Sequence, residues 1–370
     1  MKARIVRLCD ISPRDEQVWK ALSCRAAEPN PFMEPDYLMP AGLRQPFGAE
    51  IDIVLAEEGD RVYACTAIRA VRNHNHFPYP FVTTQVRRAG ECGTPLVDAE
   101  RGGEGMAAIL SALSARRRIA RSRVLALPAV SQDGPAFEAL RTAARIVGLQ
   151  FIVYESWERG LLKRRPEPGY ERLFDAAFRA ELRRRRRRLA EELGTEPVLA
   201  DRTANPAAVE RYLRLEGSQG YKSETGGAMA TQAGGPEFFG DMCLRFAADG
   251  RLHLLALEAG GQTLAMEVWL RGGDGLFLFK NAYDKRYARY GPGVQLQIAA
   301  MEHFHAATDA SWIDTCTYPD NETLLRLYPD RRLTAGVFVP LSRNPLDRMV
   351  ISSLMAIRPI HKMIYDKRNP

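Results

Sequence analysis

Apolar and polar residues alternate over short stretches of the chain and recur at three- and four-residue spacing over longer ones. Ile51–Ala56 and Arg61–Ala70 read as two strands turned by Gly59 and Asp60. GTPLV at 93–97, Val124–Leu127 and Phe151–Tyr154 read as further strands, and helical spacing covers 13–28, 32–43, 103–121 and 134–147. Strands and helices alternate, which predicts an α/β fold.

The charged, proline-rich KRRPEPG at 163–169 reads as a boundary, giving domains over 1–165 and 166–342. Past it, Phe178, Leu182, Leu189 and Leu193 form an apolar stripe through six successive arginines, 183–188, so this run is helical, and Gly194 stops it. Thr263–Leu270 and Leu276–Lys280 read as strands, Pro292–Ala307 as a helix and Trp312–Thr315 as a strand. IVLAEEGDRVYACTAI, from Ile53, matches LLALEAGGQTLAMEVW, from Leu254, with Gly59 against Gly260 and Ala64 against Ala265 at one constant offset. The chain thus reads as two copies of one α/β unit. Residues 343–370 form a basic amphipathic helix with Pro359 as a kink, suited either to packing across the domains or to peripheral contact with an anionic membrane.

A length of 370 residues accommodates two cores, and 46% hydrophobic with 26% charged residues is a soluble globular composition. The formal charge of +7 is nearly accounted for by the six arginines of one helix, which argues against a protein-wide nucleic-acid surface and leaves room for one basic groove. No apolar leader opens the sequence and no stretch reaches membrane-spanning length, which predicts a cytoplasmic protein. The six cysteines form no metal pattern, and His74 and His76, without a third ligand, read as loop residues; no metal is expected.

One stretch carries chemistry. In GLFLFKNAYDKRYARYGPGVQ a strand is followed by a helix N-terminus, where unpaired amides suit a phosphate; Gly291 and Gly293 let a ligand approach the backbone beside Val294, and Arg286 and Arg289 add charge. The same residues also suit an ordinary strand-to-helix connection with a solvated rim. The arginine helix is open to two readings, a solvated or interdomain helix and a contact for a coenzyme's nucleotide end or an RNA backbone.

The segment KNAYDKRYARYGPG resembles the "YD…Y.PG" motif of BioF2-like or CelD-type acyltransferases, a branch of the GNAT superfamily related to FemAB. The resemblance extends upstream through FRAELRRRRRRLAEELG and downstream through Ile313–Arg332, where DTC…PDN stands for the family's DSC…PDN. It implies two tandem GNAT-like (FemAB-like) domains, each a mixed twisted sheet flanked by helices, with the donor site in the second. The implied reaction is transfer from acyl-CoA, acetyl-CoA or longer, to an amine of an amino sugar, amino acid or envelope or polysaccharide precursor. A FemAB-like transfer from aminoacyl-tRNA and a catalytically silent scaffold in polysaccharide assembly are the alternatives. Where the superfamily's pyrophosphate signature has Gln or Arg, three residues before Gly291, this chain has Ala288.

Such a transfer needs a proton acceptor, an oxyanion donor and an acid for the thiolate. Glu267, amid Leu264, Met266, Val268 and Trp269, is the first choice of base through a desolvated, raised pKa, and equally suits a solvent-facing strand carboxylate. Asp284 is the second choice, or a cap residue. Tyr318, Tyr283 and Tyr290 are candidates for the acid. Lys280 and Asn281 at the strand end, Tyr283, Asp314 and Cys316 after the next strand, and Lys222 in SQGYKSETGG are expected at the substrate, with Cys316 as a pocket-lining thiol.

Overall fold

The structure, a computed structural model, describes all residues except 75–76, 78, 87–91, 117–122, 167–168, 221–226, 319–320, 345–348, 350, 354 and 357–370. Lys222, His76 and most of the expected C-terminal helix therefore lie outside the described residues. Two compact units are present: residues 1–42, 47–158 and those from 333 onward make the first, and 43–46 and 159–332 make the second.

In the first unit β1 (Lys2–Arg7), β2 (Asp52–Glu58) and β3 (Arg61–Val71) are antiparallel, and Gly59 turns the β2–β3 hairpin at φ +62°. β4 (Phe81–Thr83) follows β3 in the sheet and runs parallel to β6 (Val124–Ser131), while β5 (Leu96–Val97) pairs with β3. Beyond β6 lies β13 (Asp330–Pro340), antiparallel to it from Thr334. Met106, Ile109 and Leu110 of α3 (Gly102–Ala115) and Leu140 of α4 (Pro135–Val147) bury their stripe against Val54, Leu125, Leu127 and Val337. A second cluster packs Phe77, Phe81, Tyr154 and Phe338 together, with His74 Nε2 at 3.1 Å from the Tyr154 hydroxyl.

In the second unit the order is β7 (Ile152–Lys163), β12 (Trp312–Asp314), β11 (Gly275–Tyr283), β10 (Gln262–Gly272), β9 (Leu252–Ala259) and β8 (Val198–Asp201). β8 to β11 form an antiparallel meander, turned at Gly260 and Gly273 with φ of +54° and +53°. Leu296, Met301 and Phe304 of α8 (Pro292–Ala307) pack on Trp269, Leu278 and Ile313. α5 (Ala176–Leu193), capped by Asp175 and ended by Gly194 at φ +69°, carries the arginine run as a helix; α6 (Ala207–Arg214) and α7 (Gly235–Ala248) complete the unit with the short α9 (Glu322–Leu327).

The expected mixed α/β class is observed, with shifted element ends. α1 (Pro13–Ser23), opened by a Ser12/Asp15 capping box, stops before 28, and 32–43 becomes a 3₁₀ turn followed by α2 (Pro35–Arg44). The strand expected to end at Tyr154 runs on to Lys163, because Leu161 and Leu162 are buried and pair with β12. β1 and α7 were not read from the sequence.

Gly105 packs α3 onto β3: a Cβ there would lie 2.8 Å from the Ala64 Cβ and 3.0 Å from the Tyr63 carbonyl carbon. Gly105→Val is expected to lower stability by roughly 1–3 kcal/mol through overpacking, read as a lower urea midpoint.

Candidate active site

The site is built on strands that separate. β11 and β12 pair in parallel at Gly275↔Trp312, Leu276↔Ile313 and Phe277↔Asp314, and β12 ends there while β11 continues to Tyr283. From Leu278 onward β11 is paired with β10 on one side and has no β12 partner on the other.

A β-bulge lies in this stretch. Val268 opposes Lys280 and Trp269 opposes Leu278, so Phe279 is the extra residue in the β11 register. A bulge places one extra residue in a strand and re-aims the side chains beyond it. Here Leu278 joins the core under α8, whereas Phe279 stacks toward Phe239 of α7 at 6.4 Å and Lys280 reaches Glu216, Nζ to Oε1 3.8 Å. Asn281 opposes Glu267 across the strands and shares its face, and Tyr283 lies against Gly293 of α8. Glu267 and Lys280 therefore sit on opposite faces of the sheet.

Beyond β11 the chain forms a 3₁₀ helix over Lys285–Tyr290, and Gly291 at φ +63° turns it into α8. Pro292 has no N–H, and helix geometry leaves the amides of Gly293 and Val294 without acceptors in the first turn. Beside them is a cavity of about 450 Å³ with Phe178, Leu182, Val294 and Leu327 among its walls and Arg185 and Arg326 among its charges. This size is within the range of ligand pockets. Arg185 comes from α5, and its guanidinium lies 3.5 Å from where a Gly291 Cβ would be. Arg286 is paired with Asp284, and Arg289 with Glu192, which also accepts from the Tyr290 hydroxyl.

Glu267 is fully buried and does not line that cavity. Gln297 of α8 donates its Nε2–H to Glu267 Oε2, and the Tyr328 hydroxyl donates to Gln297 Oε1 at 2.6 Å. Glu267 Oε1 and the Trp269 indole N–H are buried without a hydrogen bond of ordinary geometry, although the indole is near enough to favour the ionised carboxylate, as Gln297 does. Burial outweighs both and raises the carboxyl to about 8. Burial, with Glu267 nearby, also lifts the Tyr328 phenol well above its usual value.

The remaining carboxylates are heavily engaged. Asp284 is buried, caps the 3₁₀ helix through the Arg286 amide at 3.0 Å, and meets the Arg286 guanidinium at 2.6 Å. Asp314 receives Arg159 and Arg332, each at 2.7 Å, and the Cys316 amide at 2.8 Å. Cys316 is buried at φ +52°, a left-handed conformation for a non-glycine residue, and Tyr318 is half-buried four positions past β12. Among the described residues no group of His, Cys, Asp and Glu is arranged to hold a metal ion. Nor is any helix among them long and apolar enough to cross a membrane.

Sequence reasoning missed Glu216, Gln297 and Tyr328, and it read Arg185 only as one of the six arginines open to a coenzyme contact. Gln297 had a signal, a polar residue within the apolar LQIAAM run; the others depend on contacts distant in the chain.

Residues 176–322 match the acetyltransferase (GNAT) domain family. The chain carries a GNAT acyltransferase domain. Its fold is similar to that of FemX over 94% of this chain and 99% of that one, with TM-score 0.59 and 10% identity. A conserved protein of unknown function from Bacteroides thetaiotaomicron is similar at TM-score 0.56 and 10% identity, covering 90% of this chain and 98% of that one. So is the C-terminal domain of a putative lysylphosphatidylglycerol synthetase from Agrobacterium fabrum, at TM-score 0.52 and 14% identity, covering 93% and 95%. No curated protein sequence matches. The resemblance carried by KNAYDKRYARYGPG and the GNAT-like, FemX-type fold it implied are thereby upheld.

Glu267 gives the GNAT domain a measurable pH signature. The unfolded chain releases this proton near 4.5 and the folded chain keeps it to about 8, so stability falls as pH rises between those values and levels off above. Glu267→Gln is expected to remove that fall, narrowing the pH 5 to pH 8 difference in unfolding free energy by on the order of a few kcal/mol in urea titrations.

Proposed function

We propose that the GNAT domain transfers an acyl group from acyl-CoA to a primary amine of an amino sugar, an amino acid or an envelope precursor. The supporting observation is the parting of β12 from β11 after Phe277↔Asp314, with β11 running on to Tyr283 and the 3₁₀ helix leading from there to the Gly291 turn. A thioester's amide-bearing arm laid where β11 and β12 part brings its phosphates to the amides of Gly293 and Val294. Arg185 is the cation at this turn, standing in space where Ala288 leaves none in sequence, and Arg286 and Arg289 exchange their carboxylate partners for phosphate. The cavity accepts the coenzyme's nucleotide end.

At the reacting end, Tyr318 is the proposed acid for the thiolate. Glu267 is the proposed proton acceptor; with its pKa raised to about 8 it holds its proton at neutral pH and becomes competent as pH rises. In this role it makes kcat/KM climb toward pH 8, a limb that Glu267→Gln abolishes; an unchanged profile in that variant would confine Glu267 to the core. The arginine run favours a second reading, transfer from aminoacyl-tRNA. Arg184 and Arg185 each meet Glu181, Arg186 meets Glu196 and Arg187 meets Glu191, so α5 offers less bare charge to an RNA backbone than its sequence suggests.

A thermal-shift titration tests the donor. Acetyl-CoA or a longer acyl-CoA is expected to raise the melting point saturably, with about 2.7 kcal/mol of stabilisation at a hundredfold excess over Kd. Arg185→Ala is expected to weaken binding about tenfold, as loss of one charge-assisted contact does. Absence of a shift with any thioester into the millimolar range, together with salt-dependent binding of aminoacyl-tRNA, would transfer the assignment to the second reading.

A further inference from the structure

Gln295, in the first turn of α8, is buried at 4% exposure, and its side chain reaches back out of the helix. Its Nε2–H donates to the carbonyl oxygen of Tyr290 at 2.9 Å. Among the described residues, Oε1 of the same amide is buried without a hydrogen-bond partner. An unpaired buried acceptor weakens a fold, so a gain in stability does not account for this side chain, and its donor end is the part in use.

The carbonyl it holds belongs to the turn that opens α8. Gly291 is the N-cap, at φ +63°, and its carbonyl accepts the Gln295 backbone amide at 3.0 Å, the first bond of the helix. A Ser, Asp or Asn at that place would cap the amides of Gly293 or Val294 with its side chain, and glycine has none to offer. The acceptor that helix geometry would offer Val294 next is the Tyr290 carbonyl, four residues back. Gln295 occupies it, and the Ala288 carbonyl is already taken by the Gly291 amide at 2.9 Å. The amides of Gly293 and Val294 thus stay open at a turn that also borders the 450 Å³ cavity and lies beside the Arg185 guanidinium.

Resting on the acyl-CoA reading, we propose that Gln295 is a positioning residue of the donor site: by occupying the Tyr290 carbonyl, it keeps the amides of Gly293 and Val294 open to the coenzyme's phosphates. The same bond holds that carbonyl's negative end away from an arriving phosphate. Gln295 touches no phosphate itself, and no bond is made or broken at it.

Hydrogen exchange at single amides, followed by NMR on the full chain, tests this. In the wild-type protein the Gly293 and Val294 amides are expected to exchange fast, and to slow when acetyl-CoA or inorganic pyrophosphate is added. Gln295→Met keeps the length of the side chain, removes both polar atoms and frees the Tyr290 carbonyl. The Val294 amide of this variant should exchange about tenfold more slowly without ligand, and acetyl-CoA should bind about tenfold more weakly. Loss of a merely structural glutamine has the opposite sign, because loosening the first turn speeds exchange. Should Gln295→Met fail to fold, Gln295→Leu takes its place with the same expectations. A variant whose Val294 amide exchanges as fast as in the wild type, or faster, overturns the inference and leaves the donor assignment standing. Failure of the wild-type protein to bind acetyl-CoA removes the acyl-CoA reading, and pyrophosphate then decides the inference. Slowing of the two amides in the wild type, without further slowing in Gln295→Met, upholds it; no slowing in the wild type overturns it.

Discussion

The parting of two strands in the second unit depends on one buried carboxylate. Asp314 is the last residue of β12 and the last to pair with β11, and there it gathers Arg159 of β7, Arg332 of β13 and the backbone amide of Cys316. Two guanidiniums sharing one acid fix the strand end in direction as well as position. Loss of the acid would strand two largely buried positive charges, an imbalance that costs about 3–5 kcal/mol in comparable pairs. Cys316, at φ +52°, then turns the chain aside. The opening along β11 is thus maintained by charge that faces inward.

The two faces of the sheet divide the acidic groups of the second unit. Under α8, Glu267, Gln297 and Tyr328 form a polar chain enclosed by apolar neighbours, where burial favours the protonated acid. On the other face, Glu216 is countered by Lys280 and a backbone amide. One residue of slippage, the bulge at Phe279, separates these environments. Period-two alternation alone would have placed Lys280 on the face of Leu278, away from Glu216.

The sequence carried the fold more clearly than the site. Gly59 and Gly260 were paired by pattern, and both turn hairpins at positive φ. The helical stripe through 183–188 and the stop at Gly194 were legible because capping and periodicity are local. The raised pKa expected of Glu267 also arises from local apolar neighbours, whereas its partners Gln297 and Tyr328 come from two later elements and leave no mark near it. Asp284 and Asp314 stand out in motifs, yet which cation each meets depends on tertiary pairing. The bulge is a one-residue excess in an otherwise regular strand, a quantity that composition and spacing do not encode.

The glutamates in and just beyond α5 give its arginines a property that a residue count conceals. Each of Arg184 to Arg187 already has an internal counter-ion, and Arg289 has one in Glu192. A phosphate arriving at this helix displaces a tethered carboxylate instead of a cloud of dissolved anions, and the tethered group stays nearby when released. The entropy that usually makes nucleotide binding so steep in salt comes from ions set free into bulk solution. Under the acyl-CoA reading that release is largely internal, so phosphate would be held here by exchange and ionic strength would be a weak control on it.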